Sequence, residues 1–284
     1  MRKYNKILIN RSNKIIKVNK NKNYNDFSQD MGGYGVNEYY ENKETFFKFY
    51  YHGKINRYLI WTDYLKSNLK LDSRTLSIGS GNAVSELNLI SSNFNITCSD
   101  LEIPQCYEAS KKLFGQFNYL KLNILEHSVE EKFDNIYCLS VIYIFSDKDF
   151  EKFFINVNKM LESNGTLILD HGACEDNLLD FFFDEIYLVI ESYFVYYLSK
   201  LFNKKIGFKI DNNFGYKRKN KEIIEFAEKF GFEFISLNEY DYLSELQRSV
   251  LIRKITEYLP FTKKIFTLLG KNISYVRLFK FKKI

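Results

Sequence analysis

The residues best able to do chemistry fall at intervals through the first two thirds of the chain. Gly79-Ser80-Gly81 follows the short run Thr75–Ile78 and leads into Asn82 and an apolar stretch. A buried strand that turns through glycines into a helix gathers bare backbone N–H groups and the positive end of a helix dipole at one point. A polar or anionic small molecule fits there. Asp100 stands nineteen residues past Gly81, the spacing at which an acid reaches the ribose hydroxyls of a nucleoside. His171, beside Asp170, is the candidate general base for a reaction that takes a proton from an alcohol, with a loop histidine of no role as its alternative. Tyr34, in the glycine-dense segment 31–36, and Tyr143 are candidate site walls. The three histidines do not cluster, so no metal is expected.

These residues need a frame, and one begins at Arg74. Strands are expected over 75–79, 95–99, 117–122, 134–140 and 166–170. Helices are expected near 82–92, between Pro104 and Gly115, and along the face Phe150, Phe153, Phe154, Val157, Met160 and Leu161. Strand-helix units in series give a parallel sheet with helices on both faces. The expected fold class is therefore α/β, a doubly wound Rossmann-like sheet, mostly parallel. In such sheets ligands bind beyond the carboxyl ends of the strands. Gly79-Ser80-Gly81, Asp100, Asn123, Ser140–Phe145 and Asp170-His171 all fall there.

Downstream, Lys221–Phe230 reads as a helix stopped by Gly231, and Phe232–Leu237 and Ser249–Lys254 read as strands. Upstream, 42–68 reads as helical with a break near His52-Gly53. Segment 31–36 suits a loop folding over a site or a plain connector. The division expected is an N-terminal arm and helical cap over 1–70, an α/β domain over 71–256 and a basic extension over 257–284. Within the domain, 175–215 interrupts the alternation. Leu178–Phe202 is long enough to cross a bilayer, but it carries Asp180, Asp184, Glu185 and Glu191. A helix lying on anionic lipid wants basic residues along its polar stripe. A lid over the sheet or a homodimer interface is expected instead.

Composition sets broader limits. A hydrophobic content of 45% with 27% charged residues describes a globular protein rather than a disordered one. The 27 Phe and 22 Tyr are read as compositional bias rather than as a functional signal. Residues 1–25 carry eight Lys/Arg and residues 261–284 carry seven, neither with an acid, leaving 26 basic against 35 acidic residues and a net −9 over 26–260. Basic ends suit anionic lipid or an acidic partner, or they fold back on the acidic body. An acidic body is a poor nucleic-acid platform, because affinity there comes from neutralising phosphates. Cys98, Cys106, Cys138 and Cys174 have neither zinc nor redox spacing, and no apolar run near the start forms a signal peptide. A cytoplasmic location is expected.

Ser77-Ile-Gly-Ser-Gly-Asn-Ala83, Ser99-Asp100, Leu122-Asn123-Ile124 and Phe133–Ile142 together resemble the successive motifs of class I S-adenosylmethionine-dependent methyltransferases. The resemblance covers about residues 70–255. It implies a seven-stranded sheet whose last strand runs antiparallel, and S-adenosylmethionine as cofactor. It places Gly79, Ser80 and Gly81 against the methionine part, Asp100 with Leu101 at the ribose, Asn123 with Ile124 at the adenine and Ser140 near the sulfonium. The family usually has an acid where Ser77 stands, a glycine where Ala83 stands and often an Asp where Asn123 stands. A nicotinamide dinucleotide is the competing ligand, but its fingerprint needs a glycine at Val84. A non-catalytic nucleotide-binding or assembly module on the same fold is the other alternative.

The acceptor is narrowed by motif. Amino-methylating DNA enzymes carry Asn/Asp-Pro-Pro-aromatic after the fourth strand, where this chain has Ser140-Val-Ile-Tyr143. Cytosine-C5 enzymes use Pro-Cys, where this chain has Pro104-Gln-Cys106 on another element. No nucleic-acid partner is expected. The expected reaction is methyl transfer to a small molecule at oxygen, either a sugar or glycan precursor or a quinone- or lipid-like amphiphile.

Overall fold

The computed structural model describes residues 2–10, 40–51, 57–171, 179, 182–201, 207–240, 242–243, 246–273 and 276–284. In chain order the elements are β1 (Arg2–Asn10), α1 (Lys43–Tyr51), α2 (Arg57–Asn68), β2 (Thr75–Ile78), α3 (Val84–Ser91), β3 (Ile96–Asp100), α4 (Tyr107–Phe114), β4 (Asn118–Lys121) and β5 (Phe133–Cys138). Then come α5 (Asp147–Met160), β6 (Leu161–Asp170), α6 (Leu188–Leu201), β7 (Gly207–Lys217), α7 (Asn220–Lys229), β8 (Phe232–Tyr240), α8 (Val250–Tyr258), α9 (Thr262–Leu269) and β9 (Val276–Lys283). A π-helical turn, Phe182–Tyr187, leads into α6.

Seven strands form one sheet in the order β4-β3-β2-β5-β6-β9-β8. β2 pairs in parallel with β3 and β5, and only β9 runs antiparallel to its neighbours β6 and β8. The order reverses between β2 and β5, so a crevice opens there at the carboxyl ends. All four residues of β2 are buried, as a central parallel strand covered on both faces requires. Phe150, Phe153, Phe154 and Val157 of α5 pack with Ile223 and Ala227 of α7 on one face of the sheet. On the other face Phe46, Trp61, Leu65, Leu87 and Phe114 knit α1–α4 together. The start of α5 is fixed by a capping box, in which Ser146 Oγ accepts from the Asp149 N–H and the Asp149 carboxylate accepts from the Ser146 N–H.

The expected strands and helices between 75 and 170 are present, with ends shifted by a few residues. Three expectations are corrected. Ser249–Lys254 is not a strand but the start of α8. Ser249 Oγ accepts from the Ile252 N–H at 3.0 Å, and the Glu191 carboxylate accepts from the Val250 and Leu251 N–H groups at 3.1 and 2.7 Å. Helix-start donors that would otherwise be orphaned are thereby satisfied, which decides for helix over the β-leaning Val-Leu-Ile run. The span 257–284 does not lie wholly outside the sheet, since its final part is β9, seated between β6 and β8. Lastly, β1 pairs antiparallel with β7, so residues 2–10 and 207–217 form a separate two-stranded ribbon rather than a loose arm and a helical insert.

Candidate active site at the strand ends

The chain leaves β2 through three residues of left-handed backbone: Gly79 (φ 73°), Gly81 (φ 53°) and Ala83 (φ 55°). Glycine adopts this region freely, whereas an alanine there costs about 1 kcal/mol. The two glycines are required for different reasons. A Cβ on Gly79 would lie 2.4 Å from Val141 Cγ2, so β5's exit loop excludes any side chain. A Cβ on Gly81 would meet nothing within 4 Å, so that residue borders open space. The Gly79 and Ser80 N–H groups donate to Ser99 O at 2.8 and 2.9 Å, which ties the turn to the end of β3.

Asp100 stands at that end. Its carboxylate accepts from the Gly81 N–H at 2.8 Å and from the Leu101 N–H at 2.7 Å, while burial raises its pKa above the usual carboxylate range. An ionised carboxylate has about four lone-pair sites, so two acceptances leave capacity for a diol. Asn123, just beyond β4, accepts from the Leu125 N–H at 3.2 Å, and the buried Ile124 gives its carbonyl to Asn156 Nδ2 at 2.8 Å. Ser140, beyond β5, is also left-handed (φ 56°) and precedes the Val141 that packs on Gly79. The structure thus brings Gly79, Ser80, Gly81, Asp100, Leu101, Asn123, Ile124 and Ser140 to four adjacent strand ends. Strands spaced about 4.8 Å apart give that row a span of about 14 Å, the length of a nucleoside with a short tail.

A match to a known family decides what this row belongs to. The family model described as "Methyltransferase domain" matches residues 76–169, which contain every one of those strand ends. Residues 76–169 thus carry a methyltransferase domain. The chain is 10% identical to the 1,6-didemethyltoxoflavin-N1-methyltransferase of Burkholderia thailandensis, crystallised with 1,6-didemethyltoxoflavin and S-adenosylhomocysteine, over 84% of this chain and 86% of that one (TM-score 0.50). It is 14% identical to the magnesium protoporphyrin IX methyltransferase of Synechocystis, also holding S-adenosylhomocysteine, over 88% and 98% (TM-score 0.49). At such identities the likeness is one of fold. No curated protein sequence matches the chain.

S-adenosylmethionine is the cofactor that the resemblance of the motifs implies, and the residues present fit it. Gly81 borders the open space a ligand needs, and the Asp100 carboxylate closes the end of β3. The family's acid, missing at Ser77, has a counterpart from another direction. Glu86 on α3 is fully enclosed, and its Oε1 accepts from Ser77 Oγ at 2.7 Å and from Tyr137 OH at 3.1 Å. Burial raises the Glu86 pKa, and the Ser77 hydroxyl offsets part of that rise. Ser77 is thus engaged with Glu86 beneath the turn.

Three tyrosines that the sequence reading had set aside as compositional bias fasten the turn from outside. Tyr119 OH donates to Gly81 O at 2.8 Å, Tyr40 OH to Asn82 O at 2.8 Å and Tyr51 OH to Val84 O at 2.9 Å. They come from β4, from the residue region ahead of α1 and from α1. Their sequence signal is weak, because nothing in the spacing of a tyrosine reveals which carbonyl its hydroxyl meets.

The remaining expected residues are less favourably placed. His171 is fully buried, its backbone N–H donates to Arg277 O, and burial together with the Arg218 and Arg277 charges pushes its ring pKa down to about 3. Its neighbour Asp170 accepts from the Arg277 N–H at 3.1 Å and is pushed up to about 7 by burial. Tyr143 is half-buried on the 3₁₀ turn Ile142–Ile144 after β5. Tyr34 and Cys174 lie outside the described residues. The three described cysteines, Cys98, Cys106 and Cys138, are free and buried.

Proposed function

We propose that this methyltransferase transfers a methyl group to an oxygen of a small molecule, and that the acceptor is a quinone- or lipid-like amphiphile rather than a sugar or glycan precursor. The observation that carries the reading is the row of Gly79–Gly81, Asp100, Asn123 and Ser140 along four neighbouring strand ends. In this reading Asp100, backed by Leu101, takes the ribose hydroxyls, and Asn123 with Ile124 meets the adenine. Gly79, Ser80 and Gly81 lie against the methionine part, and Ser140 sits nearest the sulfonium. When bound, S-adenosylmethionine supplies an electrophilic methyl group. The protein's share is to fix the acceptor in line and to exclude water, for which rigid strand ends suit better than loops.

Proton removal bears on the acceptor. A histidine held near pKa 3 is a poor base for an alcohol at neutral pH. The proposal therefore routes no proton through His171 and favours a phenol-like hydroxyl that ionises readily by itself. Tyr143, after β5, forms a wall of the acceptor site.

Calorimetric titration with S-adenosylmethionine tests the cofactor assignment, and Asp100→Ala is expected to weaken binding by about tenfold or more, as loss of a charged hydrogen-bond partner does. Unchanged affinity in Asp100→Ala would remove Asp100 from the site. Incubation with methyl-labelled cofactor and fractionated small-molecule extract tests the acceptor. Label in an organic-soluble, O-methylated phenol is expected. Label on nitrogen, or in the sugar fraction, would overturn the reading.

A further inference from the structure

The helices beyond β6 carry a surface that the methyltransferase site does not use. Leu246, Ile252, Phe266 and Ile273 pack with Phe183 and Leu188, which joins α6, α8 and α9 into one unit. Outward from that unit, Phe182, Ile186, Ile190, Phe194, Tyr197 and Leu201 recur at spacings of four, four, four, three and four, so they share one helical face, and every one of them is exposed. The corner where α8 meets α9 is apolar as well. Tyr258 is 80% exposed and Phe261 67%, with Leu259 between them and Ile265 and Leu268 following on α9. Single exposed hydrophobics are ordinary, but sets of this size on one helical face and at one corner mark surface meant to be covered.

Charge indicates what covers it. Residues 250–271 contain Arg253, Lys254, Lys263, Lys264 and Lys271 against the single acid Glu257, in a body that sums to −9 over 26–260. Lys254, Lys263, Lys264 and Lys271 are all exposed and flank the apolar corner. Of the four acids between Leu178 and Phe202, Glu191 is turned inward, where Ser249 Oγ and the N–H groups of Val250 and Leu251 donate to it. By contrast, several basic residues of the C-terminal segment are committed to the fold. Arg277 pairs with Glu239 at 3.1 Å, Lys280 Nζ donates to Asn68 Oδ1 at 2.9 Å, and Lys283 Nζ donates to Leu161 O at 2.8 Å.

We propose that the α8–α9 corner, backed by the outer face of α6, docks this protein on an anionic lipid surface. Exposed aromatic and aliphatic side chains ringed by lysines suit the boundary between headgroups and acyl chains, with the ammonium groups at the phosphates. Among the described residues no helix is long and apolar enough to cross a membrane, so the contact is with the surface. A second copy of the chain fits less well, because a two-fold interface sets the same patch against itself and would bring the lysines of both copies together.

Co-sedimentation of the full chain with phosphatidylcholine vesicles, with and without about a third phosphatidylserine, tests the proposal. Binding is expected only to the anionic vesicles, falling as salt rises. Lys263→Glu with Lys264→Glu is expected to weaken it by about tenfold or more, and Tyr258→Ser with Phe261→Ser comparably. All six side chains tested or flanking are at the surface, and calorimetric binding of S-adenosylmethionine checks that each variant is folded. Equal binding to both vesicle types would overturn the proposal. So would no binding by a folded, cofactor-competent protein, or a dimer in sedimentation velocity that Tyr258→Ser with Phe261→Ser dissociates.

Discussion

Two glutamates organise two regions of this protein in different ways. Glu86 lies under the turn after β2 and is fully enclosed, with Ser77 and Tyr137 hydroxyls as donors. Glu191, on α6, is only partly buried and accepts from the start of α8 through two backbone N–H groups and one hydroxyl. The first joins side chains inside a core and leaves an open rim for a ligand above it. The second joins two helices whose outer faces stay apolar and uncovered. The tyrosines divide in the same way. Tyr40, Tyr51 and Tyr119 give their hydroxyls to the turn after β2, whereas Tyr193, Tyr197 and Tyr258 expose their rings. One composition thus builds a rigid site in one place and a docking face in another, and burial decides which.

The sharpest way to break this contrast is Glu86→Ala. Removing the carboxylate leaves the Ser77 and Tyr137 hydroxyls without their acceptor in a closed space, for an expected loss of about 3 kcal/mol by chemical denaturation. Glu86→Gln keeps an acceptor oxygen and the shape, so it should recover most of that loss and most of the cofactor affinity. If both variants lost stability equally, the charge rather than the acceptor geometry would be what the turn requires. Glu191→Ala should cost less, about 1–2 kcal/mol, because helix-start donors near the surface can turn to water. Cofactor affinity should not change with it. A fall in affinity would show the two regions coupled.

An effect read as a slope with pH separates the end of β6 from both. Asp170 is pushed up to about 7 and His171 down to about 3. Between about pH 4 and 7 the folded state holds a proton on Asp170 that the unfolded chain has released, so this group makes stability fall as pH rises. Between about pH 3 and 6.5 the unfolded chain protonates His171 while the folded state does not, so this group makes stability rise with pH. Over about pH 4–6.5 the two nearly cancel. Relative to the unmutated chain, Asp170→Asn should add a positive slope of up to about 1.4 kcal/mol per pH unit across that window and His171→Gln a negative one, measured by denaturant unfolding at each pH. Unchanged slopes in both variants would refute the assignment.

Much of the sheet was legible because β2 to β6 are apolar runs closed by Gly, Asp, Asn or Ser at or just past the point where each strand exits. The row of strand-end residues was legible for the same reason, since residues at strand ends follow from the strands. β9 was hidden by its lysines. Phe279 and Phe281 alternate with Lys280 and Lys282 at the period of a strand, yet the segment reads first as a basic tail. α8 was hidden because the acid that caps it comes from α6, far off in the sequence. His171 looked like a base from its place after β6, and only the packing shows it enclosed beside Arg218 and Arg277. The tyrosine ties to Gly81, Asn82 and Val84 join elements that no local pattern connects.

The seat of β9 also sets an order of events during synthesis. Arg277 meets Asp170 across 107 residues of chain, and β9 separates β6 from β8 in the finished sheet. Until residues 276–283 have emerged, β6 and β8 each present a strand edge with nothing to pair with, and such edges invite other chains. The nascent protein therefore passes through an interval in which β2 to β6 are complete in the chain while the sheet is unfinished. Contacts of such long range also slow the final closure.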